Sequence, residues 1–293
     1  MKHRKRPYFE GWYFKHQRGG QAIAFIPGIH RTAAGARRAF IQVITGGGTW
    51  FVPYPYETFF KRENPLEIRV GDSVFSARGI AVQMDTPELT CNGTVEYGQL
   101  LPIRGDIMGY FAPIPGLQCR HGVVSLYHKL RGEITLNGER LELTGGQGYV
   151  ESDRGRSFPR QYTWFHSNDF PGETPVSVMA AVAHVPLGPM AIQGVIASVY
   201  VDGREHRLAT YHGGRAVRCT EREMILTQGR DCLTIRVEPG DGLPLYAPDL
   251  GEMTRIIRER ITCRATVTYR RGDQVLLDEV SECASFERSG YGD

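Results

Sequence analysis

Three short segments of this chain set carboxylates beside aromatic rings, the combination that acid chemistry in a dry site requires. The first is Pro7-Tyr8-Phe9-Glu10-Gly11-Trp12-Tyr13-Phe14-Lys15. In an extended conformation its period of two places Glu10, Trp12 and Phe14 on one face, joined by Tyr8. Burying an unpaired charge is costly, so a carboxylate on such a face must be protonated, pair with an arginine or look into a polar cavity. Glu10 is therefore either a candidate acid or a pin that fixes the strand to its surroundings.

The second segment runs from Gly148 to Phe170. Glu151 and Asp153 lie two apart and face the same way on a strand. Close carboxylates raise one another's proton affinity, one route to a general acid at neutral pH. Arg154 and Arg156 open the competing expectation of a salt-bridge network that keeps both acids ionised. Further on, Tyr162, Trp164, His166 and Asn168 alternate onto one side, a mixture of rings and hydrogen-bonding groups that suits a ligand-lining wall. In the third segment, Leu117 to His128, the strand period puts His121, Val123, Ser125 and Tyr127 on one side and His128 on the other. Two histidines on opposite sides cannot converge on a metal; a lone strand histidine is either a satisfied core or rim residue or a proton carrier.

Several chemistries are missing. The sequence contains no phosphate-cradling glycine loop ending in Lys-Ser/Thr, no G-x-S-x-G elbow and no H-E-x-x-H. The six cysteines, Cys91, Cys119, Cys219, Cys232, Cys263 and Cys283, form no C-x-x-C pair, which argues against a zinc cluster or a disulfide framework and for a reducing cytoplasm. With 35 Lys and Arg against 32 Asp and Glu, the formal charge of +3 provides no basic field for nucleic acid. The exception is the tip from Lys2 to Arg6, a solvated tail or a point of peripheral membrane contact, with no apolar segment behind it to make a signal peptide.

The elements that must position these residues read as strands. Thirty-five Gly, 17 Pro and a succession of short alternating runs predict an all-β chain. The runs include Gln21 to Ile29, Arg38 to Thr45, Gly122 to Leu136, Val176 to Val185, Ala191 to Val201 and Cys263 to Arg271. Asn137-Gly138, Asp202-Gly203 and Gly272-Asp273 fall where tight hairpin turns are expected. Only Tyr54 to Arg62, after a Pro-rich entry, and Glu252 to Arg260, where Met253, Ile256 and Ile257 have helical spacing, look helical. At 293 residues, and with typical domains of about 150, two domains are expected, and antiparallel sheets of this size hide their edges by closing into barrels or sandwiches. The expected division is 1–149 and 150–293, each half opening on an aromatic strand with a carboxylate.

At these segments the sequence resembles the tocopherol cyclase family. The family's opening Y-F-E-G-W-Y-F strand is matched at Tyr8 to Phe14. Its later motif E-K-N-W-G-R-S-F-P-x-x-W-F-W-x-Q-x-N-x-F is matched at Glu151, Gly155, Arg156, Ser157, Phe158, Pro159, Trp164, Asn168 and Phe170. The C-R-H-G-V-V-S strand of bacterial relatives stands at Cys119 to Ser125. The family's Lys, Asn and Trp are replaced by Ser152, Asp153 and Arg154, and its Gln by His166.

The resemblance implies two lipocalin-like barrels, related to hydroxyneurosporene synthase and AttH-like proteins. It implies a cofactor-independent, metal-free reaction that protonates an isoprenoid alkene and closes a ring on a prenylated phenol, or adds water, an intramolecular lyase or isomerase by class. Glu151, Asp153 or Glu10 would be the acid. Trp12, Tyr13 and Trp164 would line the cation path, His121, His166 or Asn168 would orient the phenol, and Ser125, Phe158 and Tyr162 would complete the lining. The alternative is a noncatalytic carrier of an apolar metabolite. The expected ligand is small, and apolar or a prenylated aromatic.

Overall fold

The computed structural model describes residues 6–114, 117–187 and 190–291; the basic residues Lys2 to Lys5 lie outside the described residues. The chain forms two antiparallel sheets of twelve and ten strands. The first contains β1 (Tyr8–Arg18), β2 (Gln21–Arg31), β3 (Arg37–Thr45), β4 (Thr49–Tyr54), β5 (Phe59–Glu63), β6 (Leu66–Val70), β7 (Ser73–Ser76), β8 (Gly79–Asp85), β9 (Thr90–Tyr97), β10 (Cys119–Leu136), β11 (Glu139–Glu142) and β12 (Gln147–Gly155). The second contains β13 (Tyr162–Ser167), β14 (Ser177–Leu187), β15 (Met190–Val201), β16 (Arg204–Ala209), β17 (Arg215–Cys219), β18 (Glu223–Gln228), β19 (Asp231–Val237), β20 (Leu243–Asp249), β21 (Glu252–Arg271) and β22 (Gln274–Ser289). These are two lipocalin-like β domains.

Both sheets follow one plan, in which the first strand lies beside the last: β1 against β12, and β13 against β22. From that centre, β2, β3 and β4 meander to one side as β14, β15 and β16 do in the second sheet, while the later strands return on the other side. The hairpin signals act as the sequence predicts. Asn137-Gly138 and Asp202-Gly203 both take positive φ at two successive residues, the geometry of the tight turns that match strand twist.

Two expectations are corrected. Tyr54 to Arg62 is the end of β4, a single 3-10 turn at Tyr56–Thr58 and most of β5. Glu252 to Arg260 is the first half of β21, where Ile256 is 51% exposed while Ile257, Glu259, Ile261 and Cys263 alternate inward. The buried carboxylate of Glu259 hid the period of two, leaving only the three apolar residues that fit a helix. The sheets also change over later than residue 149. β12 continues through Glu151 to Gly155 because it pairs with β1 on one side and β10 on the other, and the second sheet starts at Tyr162. No helix among the described residues is long and apolar enough to cross a membrane.

Each sheet wraps its own apolar core, one around Phe14, Phe25, Ile41 and Phe75, the other around Phe165, Leu226, Val267 and Phe286. A third buried cluster fills the seam between them, with Tyr13, Tyr149, Tyr162, Trp164, Leu245 and Ile261. Polar staples cross this seam. Lys15 donates to the Cys283 carbonyl at 2.9 Å, Gln17 to Asn168 Oδ1 at 2.7 Å and Gln42 to the Tyr246 carbonyl at 2.8 Å. Each satisfies a group that burial would otherwise leave stranded.

The turn between β20 and β21 docks on the first sheet. Gly251 donates to the Arg156 carbonyl at 2.7 Å and its own carbonyl meets His30 Nδ1 at 3.0 Å. At φ +76° a Cβ on this residue would lie 2.1 Å from the Arg31 carbonyl oxygen. Gly251→Ala is expected to destabilise the protein by about 1–3 kcal/mol, through backbone strain and the displaced contact. Chemical denaturation reads this directly, and an unchanged midpoint would show that the turn does not hold the sheets together.

Candidate active site

The seam is not completely filled. A hollow of about 210 Å³ opens there, walled by Phe9, Ile26, Phe158, Ala181, Ile196 and Leu245 and by a small set of polar groups. Strand pairing brings those groups together. Tyr13 on β1 and Glu151 on β12 are direct cross-strand partners. In the second sheet, Trp164 on β13 stands opposite Glu287 on β22, which in turn stands opposite Glu259 on β21. All three glutamates are less than 10% exposed and border the same hollow.

Each carboxylate has a phenolic partner. Tyr149 donates to Glu151 Oε2 at 2.5 Å, Tyr13 donates to Glu259 Oε1 at 2.5 Å, and the Tyr162 hydroxyl donates to Glu287 Oε1. Glu151 Oε2 also accepts the Trp164 indole N–H at 3.2 Å and lies 3.4 Å from His121 Nε2, whose Nδ1 is 3.2 Å from Asp153 Oδ1. Asp153, His121, Glu151 and Tyr149 thus form a chain along the wall. Carboxylate and ring nitrogen atoms of His121, Glu151 and Asp153 lie within 4.8 Å of one another, the one group among the described residues compact enough to share a cation. His121 is hydrogen-bonded to Asp153 through Nδ1 and turns Nε2 to Glu151 at ion-pair distance, so the imidazole stands between the two acids.

Burial sets the proton affinities. It raises Glu151, an effect that His121 partly offsets. It pushes Glu259 up to about 7, against the Tyr13 hydrogen bond and the charge of Lys15. Glu287 is raised well above the usual carboxylate range, by burial first and then by the negative charges of Glu151 and Asp153. Burial works against the charge on His121, but Glu151 and Asp153 outweigh it and hold the imidazole above its ordinary value.

Of the residues singled out in the sequence, Glu151, Asp153, Tyr13, His121, Phe158, Tyr162 and Trp164 border the hollow. Glu10 does not. It lies on the other face of β1, where Lys61 holds it at 2.9 Å beside a separate polar hollow that Arg154 also borders. Trp12 shares that face, stacked on Phe59 in the first core, because Trp12 and Tyr13 must point to opposite sides of the sheet. Among the described residues no arginine pairs with Glu151 or Asp153.

His166 is buried against Tyr149, ring centroids 3.6 Å apart, with neither nitrogen hydrogen-bonded. Asn168 is a staple that holds Gln17 and the carbonyls of Leu126 and Gly148. Ser125 and His128, expected on opposite sides of β10, hydrogen-bond to each other at 3.0 Å. Register shifts after Val123 and after Ser125 break the alternation there, and Ser125 does not border the hollow, while His128 lies away from it as expected. Glu259 and Glu287 were missed. For Glu259 the signal was an acid at an inward position of a regular alternation, Ile257, Glu259, Ile261 in β21, whereas Glu287 ends a run in β22, Cys283 to Glu287, that is buried on both faces and gives no such mark.

Because Glu259 holds its proton more tightly when folded than its ordinary value of 4.5, its stabilising contribution is full below pH 4.5 and is lost as pH rises towards 7. The loss amounts to about 1.4 kcal/mol per pH unit for one such group. Glu259→Gln, which cannot ionise, should therefore gain stability over the wild type between pH 4.5 and 7 and keep that gain above. His16 and His128, held neutral by burial down to about 3, tilt stability the opposite way below pH 6.5 and cancel in the comparison. Parallel stability curves for the two proteins across that range would refute the assignment.

A comparison with curated proteins gives no match. Residues 108–213, which include the second and third motif segments, match the family model described as Tocopherol cyclase-like. Among solved structures, an AttH-like protein from Nitrosomonas europaea is similar over 98% of this chain and 93% of its own, at 12% identity and TM-score 0.54. CghA, in a crystal structure with Sch210972, is similar over 97% of this chain and 88% of its own, at 12% identity and TM-score 0.57. The fold is thus shared with these proteins along almost the whole chain, and the resemblance to the tocopherol cyclase-like family, read first from the motif strands, is borne out by the family match across the segment that carries Glu151, Asp153 and Trp164.

Proposed function

We propose that the chain is a cyclase or hydratase that works by acid catalysis on an isoprenoid alkene, either closing a ring on a prenylated phenol or adding water to the double bond, with no cofactor required. One observation carries this reading. Three buried glutamates from two sheets, each with a tyrosine at its side, open onto a single hollow whose remaining wall is mostly apolar and aromatic.

Protonating a trisubstituted alkene needs a carboxylic acid that stays neutral at working pH and a site from which water is excluded until the cation is trapped. Raised proton affinity at these glutamates meets the first need, and the packed seam meets the second. In the reaction a carboxyl O–H bond breaks as a C–H bond forms at the less substituted alkene carbon. The tertiary cation that results is then attacked by the phenol or water oxygen, whose proton passes to a carboxylate, so protons balance. Tyr13, Trp164, Tyr162 and Phe158 border the hollow. A cation over such a ring gains roughly 0.5–2 kcal/mol, enough to guide the path without driving it. Met108, Phe111, Ile114 and Leu117 extend the apolar border, a surface for the rest of a prenyl chain.

Incubation with prenylated quinols should yield a product of unchanged mass, or heavier by one water. In deuterium oxide the new C–H position should carry one deuterium that does not wash out. The double substitution Glu151→Gln with Glu287→Gln should lose turnover by a factor of roughly 10² to 10⁴, with binding of the quinol retained. A wild-type protein that binds such compounds and returns them unchanged would leave the carrier reading in its place.

A further inference from the structure

Glu151 and Glu287 border the same hollow, but their surroundings differ in kind. Of the two, Glu151 is the better stabilised as an anion. Oε2 receives Tyr149 and Trp164 hydrogen bonds, and the imidazole of His121, itself oriented by Asp153, stands 3.4 Å away. Glu287 has one hydrogen-bond partner among the described residues, the Tyr162 hydroxyl, and no cationic side chain within ion-pair distance. Its Oε2 has no partner at all among them. The groups that face it are Tyr162 from β13, Glu259 from β21, Glu151 and Asp153 from β12 and His121 from β10, with Arg255 beyond the Tyr162 ring at 5.8 Å. A carboxyl group with one donor and several negative neighbours favours its neutral form, whereas one with three donors or cations favours its charged form.

We propose that Glu287 is the proton donor of the site and that Glu151, held by the Asp153–His121 pair, is the proton acceptor. This deepens the acid-catalysis reading and rests on it. The Glu287 O–H bond breaks and its proton forms the new C–H bond with the alkene π pair. The oxygen nucleophile forms the C–O bond to the cation and releases its proton to the Glu151 carboxylate. Glu287 then stands ionised and Glu151 neutral, and one proton crosses from Glu151 to Glu287 after product leaves, which restores the starting state. Two acids with environments that push their proton affinities apart are a recurring solution to acid–base work at one pH. Here the two come from different sheets, so the substrate lies between donor and acceptor.

The test uses protein carrying carbon-13 at the glutamate carboxyl carbon, with the two signals assigned from Glu151→Gln and Glu287→Gln and, should either fail to fold, from Glu151→Asp and Glu287→Asp. Followed by NMR from pH 4 to 9, the Glu287 signal should keep the position of a protonated carboxyl to higher pH than the Glu151 signal. His121→Gln should raise the Glu151 midpoint and narrow the gap. An ionised Glu287 beside a protonated Glu151 at the same pH overturns the assignment. Where the wild type turns over a prenylated quinol, Glu287→Gln should lose the limb of the pH–rate profile that falls at high pH, and Glu151→Gln the limb that falls at low pH; exchanged limbs also overturn it. Absence of turnover in the wild type removes the acid-catalysis reading, while the carboxyl signals still decide which residue holds the proton.

Discussion

The dominant constraint is the free-energy penalty for an ionised carboxylate out of water. Three glutamates in the seam sit where charge is disfavoured, and each adjusts by drawing on a tyrosine hydroxyl and by holding its proton more tightly. The same burial that makes them unfavourable structural residues makes them useful acids. The seam bears that strain because it is stapled across and flanked by two packed cores. Lys15, Gln17 and Gln42 bind across it, and the two sheet cores on either side are filled with aliphatic and aromatic side chains.

How the site is assembled follows from pairing first and last strands. β1 meets β12 and β13 meets β22, so residues far apart in sequence become cross-strand neighbours. Tyr13 and Glu151, and Trp164 and Glu287, are brought together in this way, and Glu259 joins because β21 is the next strand. Tyr13 bonds to Glu259 across the seam rather than to Glu151 beside it, while the Trp164 indole reaches Glu151 in the other sheet. The aromatic residues therefore lock the two sheets together through the very carboxylates that border the hollow.

Much of this was legible in the sequence, and the parts that were not have specific causes. The all-β character, the tight turns and the motif strands followed from residue type and spacing. Within the opening strand the period of two was also right, but nothing in the sequence said which face would meet the other sheet. Glu10 and Trp12 turned to the first barrel, and Tyr13 to the hollow. In β10 two register shifts break the alternation, so Ser125 joins His128 on the side away from the hollow instead of standing with His121. Glu259 escaped notice because an acid at an inward position interrupts the apolar pattern from which burial is read. Glu287 lies outside every recognised motif and acquires its meaning only from Trp164, more than a hundred residues earlier in the chain.

The hollow belongs to neither barrel; it is a gap left where two finished cores meet. Its outline is therefore set by side chains at the junction and by how far one sheet slides or tilts against the other, not by the strand number or closure of either. A few substitutions along the junction can reshape the space for a bulkier or more slender guest while both cores stay intact, so this architecture separates the task of folding from the task of choosing a ligand.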